Sequence, residues 1–205
     1  MKFDFQKALE KWERRLRGPE MKFLDTNINA SPSINYAFNS IAYLPGIAAG
    51  TGFSERVGDR ILVKHIMFEG YVLQTPNAAG DYSTNPLRFI LVVDRQCNGV
   101  VASGTDVFTG AICERLRPNL SNEQRFVVLI DEWVAVNSFS GVSGPMCVPF
   151  RFEMDVEIPV EYGANTSASS SILKNSIAWS VTGRNAPSPP QTEIRGYVRV
   201  LYVDI

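Results

Sequence analysis

From Phe150 to Val160 the chain alternates apolar and polar residues almost without a break. Phe150, Phe152, Met154, Val156, Ile158 and Val160 fall on one side of an extended backbone, with Arg151, Glu153, Asp155 and Glu157 on the other. A period of two is that of a β-strand with one buried and one wet face. The same reading extends to 60–74, 87–94, 172–182 and 194–203, with a weaker strand expected over Ile34–Ile41. Residues 125–136 carry Phe126, Val128, Ile130, Val134 and Val136 on one side but Val127, Leu129 and Trp133 on the other, which predicts protein against both faces.

Between these runs lie Thr75–Pro86, Gln96–Thr105, Arg117–Asn122, Ser138–Pro149, Gly163–Ser171 and Gly183–Gln191, all rich in Gly, Pro, Asn and Ser. Such residues supply turn geometry. Several of these breaks are long for hairpins, which favours a two-sheet sandwich or jelly roll over an up-and-down meander. Asp106 to Leu116 has room for a turn or two of helix. The stretch Gly50–Val72 reads as a turn, Gly52 to Asp59, that delivers the first core strand. With 205 residues and 45% hydrophobic content, one domain can bury a full core.

Only Phe3 to Arg17 has a convincing helical period. Asp4 can cap it, Phe5, Leu9, Trp12 and Leu16 share one face, Lys7, Lys11, Arg14 and Arg15 lie toward the other, and Gly18-Pro19 ends it. Residues 1–22 hold seven Lys or Arg against four Asp or Glu, a net of +3, which leaves 13 against 17, a net of −4, for 23–205. The expected organisation is a basic amphipathic helix or arm over 1–22 and one β-domain over 23–205. The helix has three readings: nucleic-acid contact through Lys2, Lys7, Lys11, Arg14, Arg15 and Arg17, a membrane surface, or packing of its Phe5/Leu9/Trp12/Leu16 stripe. The first and third are compatible.

Little in the sequence encodes catalysis. His65 is the single histidine; it lies within a predicted strand and reads as structural, so no catalytic residue is assigned. Gly141-Val-Ser-Gly-Pro145 lacks the spacing of a nucleophile elbow. Glu153, Asp155 and Glu157 share a face that could attract Ca²⁺, but alternating charge on an exposed strand face accounts for them, and neither a metal nor a cofactor is predicted. Cys97, Cys113 and Cys147 form no C-x-x-C motif, so reduced thiols are expected. The N-terminus has no signal-peptide core and no apolar run is long enough to span a membrane. The sequons at Asn119 and Asn165 are therefore expected to be accidental.

Several segments together resemble one family. Pro19-Glu-Met-Lys-Phe-Leu-Asp-Thr26, Arg56-Val-Gly-Asp-Arg-Ile-Leu-Val-Lys64 after a Gly-Thr-Gly turn, and Leu87-Arg-Phe-Ile-Leu-Val-Val-Asp94 are similar to the capsid proteins of small circular Rep-encoding single-stranded DNA viruses, the circovirus and nanovirus type. Arg125-Phe-Val-Val-Leu-Ile-Asp131 resembles the family's central strand, Leu173-Lys-Asn-Ser-Ile-Ala-Trp179 its penultimate strand, and Tyr197-Val-Arg-Val-Leu-Tyr-Val-Asp204 its closing strand. The likeness spans about residues 19–205. It implies an all-β fold, an eight-stranded antiparallel jelly-roll sandwich with BIDG and CHEF sheets, two of whose strands would be short ones in 138–149 and 163–171. It also implies self-assembly into an icosahedral T=1 shell of sixty copies around single-stranded DNA. Members of that family typically begin with a long Arg-rich arm, where this chain has only Lys2 to Arg17, interrupted by Asp4, Glu10 and Glu13.

The expected function is thus structural rather than enzymatic: a coat subunit whose partners are its own copies, a single-stranded DNA genome and a host receptor the sequence does not name, with no membrane insertion. The expected location is the virion, with assembly in the host nucleus or cytoplasm. Two alternatives stand beside it, the coat of a small single-stranded RNA satellite virus and a non-viral jelly-roll binding module such as a trimeric ligand or a lectin.

Overall fold

The computed structural model describes residues 20–30, 42–44, 46–75, 87–97, 102–110, 115–134, 146–183 and 191–205. The predicted helix Phe3–Arg17, the strand Ile34–Ile41, Cys113 and the Gly141–Pro145 loop lie outside them. Within the described residues the strands are β1 (Lys22–Ala30), β2 (Ala42–Tyr43), β3 (Arg60–Thr75), β4 (Leu87–Asp94), β5 (Phe108–Thr109), β6 (Arg117–Pro118), β7 (Phe126–Val134), β8 (Met146–Tyr162), β9 (Ile172–Lys174), β10 (Ser176–Gly183) and β11 (Gln191–Asp204). A single helical turn, α1 (Gly104–Val107), overlaps the stretch expected to hold helix, Asp106–Leu116, only at Asp106 and Val107, and β5 follows it at once.

One sheet runs β1-β11-β3-β8-β9 and the other β2-β10-β4-β7, with β5 and β6 forming a small ribbon of their own. Every pairing between these strands is antiparallel. β1 lies beside β11, β2 beside β10, β3 beside β8 and β4 beside β7, while β11–β3 and β10–β4 close the two halves together. This is one long hairpin rolled on itself. Lettered B to I along the chain without the short β5, β6 and β9, the sheets are B-I-D-G and C-H-E-F, the jelly-roll order. The protein is an all-β jelly-roll sandwich.

The core lies between the sheets. Phe68, Val72, Phe89, Leu91, Ile177 and Val198 belong to one buried cluster fed by both layers, and Phe89 stacks on Phe152 at 4.9 Å and on Trp179 at 6.0 Å. β4 is buried along its whole length. Its inward residues enter the main core, and its outward Ile90 and Val92 meet Ala102, Val107, Phe108 and Leu116 of the β4–β7 connection. That second cover explains why Leu87–Asp94 reads as a continuous apolar run.

Two glycines set the spacing of β3 and β11. Gly70 and Gly196 are cross-strand partners, and a Cβ on either would sit 2.2 Å from a backbone oxygen of the other strand. β8 has a different constraint. Only Glu161 and Tyr162 pair with β9, so from Met146 to Val160 its other side is an edge among the described residues. Pro149 and Pro159, which cannot donate to a ladder, and the charged row from Arg151 to Glu157 are features that keep an edge from recruiting another strand.

Three sequence expectations change. Gly50–Val72 does not open the core: β1 and β2 precede it. Of the strands expected in 138–149 and 163–171, the described part of the first, Met146–Pro149, is the start of β8, and 163–171 holds bends and a 3-10 turn; β1 and β2 complete the eight lettered strands. The expected strand 172–182 is two strands, broken at Asn175, whose φ of 56° lies in the left-handed region and whose Nδ2 donates to Pro159 O at 2.6 Å.

Candidate functional site

The cations assigned to nucleic acid (Lys2, Lys7, Lys11, Arg14, Arg15, Arg17) and the packing stripe (Phe5, Leu9, Trp12, Leu16) lie outside the described residues. The body offers three regions where charge and exposure are organised.

The first is the turn that feeds β3. Its backbone is tied internally: Glu55 N donates to Gly52 O, Gly50 N to Arg56 O and Arg56 N to Ala48 O, and Gly52 N donates to the Glu55 carboxylate at 2.6 Å. At its centre Arg56 is fully buried. Its Nε donates to Ile47 O at 2.9 Å, and its two terminal nitrogens donate to Gly58 O and Ala164 O. The guanidinium lies 4.2 Å above the Tyr162 ring, with Asp59 at 3.6 Å. A buried cation is tolerated where backbone oxygens and a π-face replace its water. Burial pushes the Tyr162 phenol up to about 12, against a backbone hydrogen bond from Ile47 and the charge of Arg56, which both pull it down. Arg56 thus joins the turn to the 163–168 bend across 108 residues of sequence.

Next to it, Lys22 is buried, paired with Asp204 at 2.9 Å, and donates to Glu55 O at 2.9 Å. Asp204 also accepts from Val57 N at 3.0 Å. The start of β1, the end of β11 and the turn are therefore one cross-linked corner. Met21, Phe53, Val57 and Ile205 all stand about half exposed there, at 48%, 57%, 58% and 60%.

The second region is the outer face of the five-stranded sheet, where the strand registers set charges side by side. Arg199 grips Asp25 with two bonds of 2.7 Å, and the guanidinium holds that carboxyl below its usual range. Arg151 bonds Glu153 at 2.7 Å and reaches Glu69 at 3.5 Å. Lys64 pairs with Glu157 at 2.7 Å and depresses its pKa; Arg195 pairs with Glu193 at 2.8 Å. His65 Nδ1 lies 2.8 Å from Asp155, with its ring mostly buried. Six cations (Arg60, Lys64, Arg151, Lys174, Arg195, Arg199) thus face seven acids (Asp25, Glu69, Glu153, Asp155, Glu157, Glu161, Glu193), a net of −1. Those cations are committed to carboxylates. Among the described residues no His, Cys, Asp and Glu group is arranged to hold a metal ion.

The third region covers the outside of the four-stranded sheet. Arg88 bonds both Asp131 oxygens at 2.6 Å and donates to Leu116 O at 3.1 Å, lying between the Phe108 and Trp133 rings. Arg125 bonds both oxygens of buried Asp94 at 2.9 and 2.8 Å. These pairs fasten the β4–β7 connection to the sheet, so their role is positional. Cys97 is buried and donates to Ile172 O, while Cys147 is exposed. The Asn119 side chain caps a 3-10 turn through Ser121 N and donates to Thr105 O.

Sequence reasoning gave no role to Arg56, Lys22, Arg88, Asp94, Asp131 or Asp25. The signal was present for Arg88 and Asp94, since a charge inside or at the end of a continuous apolar strand needs a partner. Lys22 and Arg56 carry no such mark, because their burial comes from segments distant in sequence.

No protein-family model matches the chain, and no curated protein matches it. Among solved structures it is similar to one described as the crystal structure of the 60-mer BFDV capsid protein, at 14% identity and a TM-score of 0.35, over 91% of each chain. The strand order, rather than that likeness, assigns the fold.

Proposed function

We propose that this chain is a viral coat subunit whose body, 23–205, assembles with its own copies into a small icosahedral shell of sixty around a single-stranded DNA genome, with 1–22 as its basic arm. The observation that carries the reading is the agreement between strand order and sequence likeness. Pro19–Thr26 runs into strand B, Arg56–Lys64 into D, Leu87–Asp94 is E, Arg125–Asp131 lies on F, Leu173–Trp179 leads into H and Tyr197–Asp204 lies in I. The segments that resemble penultimate and closing strands thus occupy those places. Closed shells arise when heterologous contacts repeat around rotation axes. A rigid sandwich braced by Arg56, Arg88 and Arg125 suits that role.

Genome contact falls to Lys2, Lys7, Lys11, Arg14, Arg15 and Arg17 in this reading, because the cations on the outer five-stranded face are paired with acids. So few phosphate contacts make binding modest, with a salt dependence that follows the number of phosphates neutralised. The test is sedimentation and electron microscopy of the full chain, with the 260/280 nm absorbance ratio of the particles. Shells whose nucleic acid is DNase-sensitive support the proposal, RNase sensitivity supports an RNA satellite coat, and a monomer at every salt and pH overturns it.

A further inference from the structure

The corner formed by the start of β1, the end of β11 and the turn before β3 exposes Met21, Phe53, Val57 and Ile205. Phe53 is held edge-on by Phe23 at 5.1 Å, Val57 through Asp204, and Ile205 through its N–H to Arg60 O at 3.3 Å. The turn is hydrogen-bonded and anchored by Arg56, so these side chains are presented by ordered backbone. Four large apolar groups exposed at one ordered corner mark a contact site. We propose that this corner is the docking site for the Phe5/Leu9/Trp12/Leu16 stripe of the same chain.

Reach and chemistry select that occupant. The described chain begins at Glu20, beside the patch, and Leu16 is five residues from Met21, so the intervening backbone spans at most about 17 Å. Gly18-Pro19 reverses direction readily at that point. A helical stripe from Phe5 to Leu16 is about 16 Å long, comparable with a corner that runs across three elements. Lys7, Lys11, Arg14 and Arg15 lie on the side of the predicted helix away from that stripe. Docking by the apolar face leaves those cations outward, so the arm can pack and still meet phosphate.

The test is hydrogen–deuterium exchange on the full chain under conditions that keep it monomeric, comparing the parent with Leu9→Asp/Leu16→Asp and, reciprocally, with Phe53→Ser/Val57→Ser. Undocking by the first pair is expected to speed exchange of amides 53–58 and 204–205 by about tenfold, and the second pair to speed exchange over 5–16 similarly, with β4 unchanged in both. Where one pair loses β4 protection through misfolding, the reciprocal pair decides. The inference is overturned if neither pair changes the opposite segment, if the affected amides lie elsewhere on the body, or if protection of the corner disappears on dilution, which assigns the patch to a second copy.

Discussion

Replacing Arg56 with methionine isolates what a buried cation contributes to this sandwich. The change keeps a flexible, unbranched side chain but removes the donors to Ile47 O, Gly58 O and Ala164 O. Leaving three carbonyls unpaired costs about 1 kcal/mol each at the low end of the range for buried groups. Losing the contact over Tyr162 adds about 1 kcal/mol. Against this, the desolvation penalty of the guanidinium disappears, returning part of that sum. The expected net loss is about 3 kcal/mol, which at a urea dependence of about 2 kcal/mol per molar moves the midpoint down by about 1.5 M. Arg56→Lys keeps the charge but cannot fork to three acceptors, so it falls between parent and methionine. Urea unfolding followed by tryptophan emission reports both variants, since Trp179 packs against Phe68 and Phe89. A methionine variant within about 1 kcal/mol of the parent, or a lysine variant equal to it, would refute the claim that these carbonyls depend on the guanidinium.

Gly196→Ala forces a methyl to within 2.2 Å of Glu69 O and is expected to cost more than about 2 kcal/mol. Gly58→Ala meets nothing within 4 Å but keeps a φ of +90°, so its cost stays near 1 kcal/mol of backbone strain; equal losses in thermal unfolding would contradict the close-approach argument. The buried Tyr202 hydroxyl has no hydrogen-bond partner among the described groups, so Tyr202→Phe should leave stability unchanged or raise it by about 1 kcal/mol. Tyr162, pushed from 10.0 up to about 12 by burial, favours the neutral phenol when folded. Its contribution, about 3 kcal/mol, is complete below pH 10 and lost between pH 10 and 12; titration at 295 nm should show that phenol ionising late, and Tyr162→Phe should remove that part of the alkaline loss. Asp25 behaves oppositely. Arg199 lowers its pKa from the ordinary 3.8, so its stabilisation is present above that value and fades as pH falls through the folded one, and Arg199→Gln should flatten the acid limb of a urea-midpoint profile.

The strands were legible where one physical cause dominates. β8 announces itself because one face is wet and the other is core, and β4 because two covers bury both of its faces. β1 was missed for the opposite reason. Its Asp25, Asn27 and Asn29 are poor strand formers, and only pairing to β11 explains their conformation: Asp25 answers Arg199, and Lys22 answers Asp204. The split at Asn175 was invisible too, since the left-handed residue fits only once its side chain finds Pro159 O. Arg56 was quoted in a motif without a role, because its acceptors come from Ile47, Gly58 and Ala164, and no local pattern brings those carbonyls together.

The same long-range pairing bears on how copies of this body can meet. The outer five-stranded face answers nearly every cation with a carboxylate on the same or a neighbouring strand, so a flat approach there would desolvate satisfied ion pairs for little return. The outer four-stranded face carries the β4–β7 connection, sealed by Ile90, Val92, Phe108 and Leu116. Among the described residues the large exposed apolar groups other than Tyr71 of β3 lie toward rims: Met21, Phe53, Val57 and Ile205 at one corner, Leu120 before β7 and Trp133 near its end, and Leu173 in the short β9. Interface energy concentrates in large apolar and aromatic anchors rather than in paired surface charges. In the proposed coat, where that corner is filled by the chain's own arm, contacts between copies therefore fall to the rims around Leu120, Trp133 and Leu173.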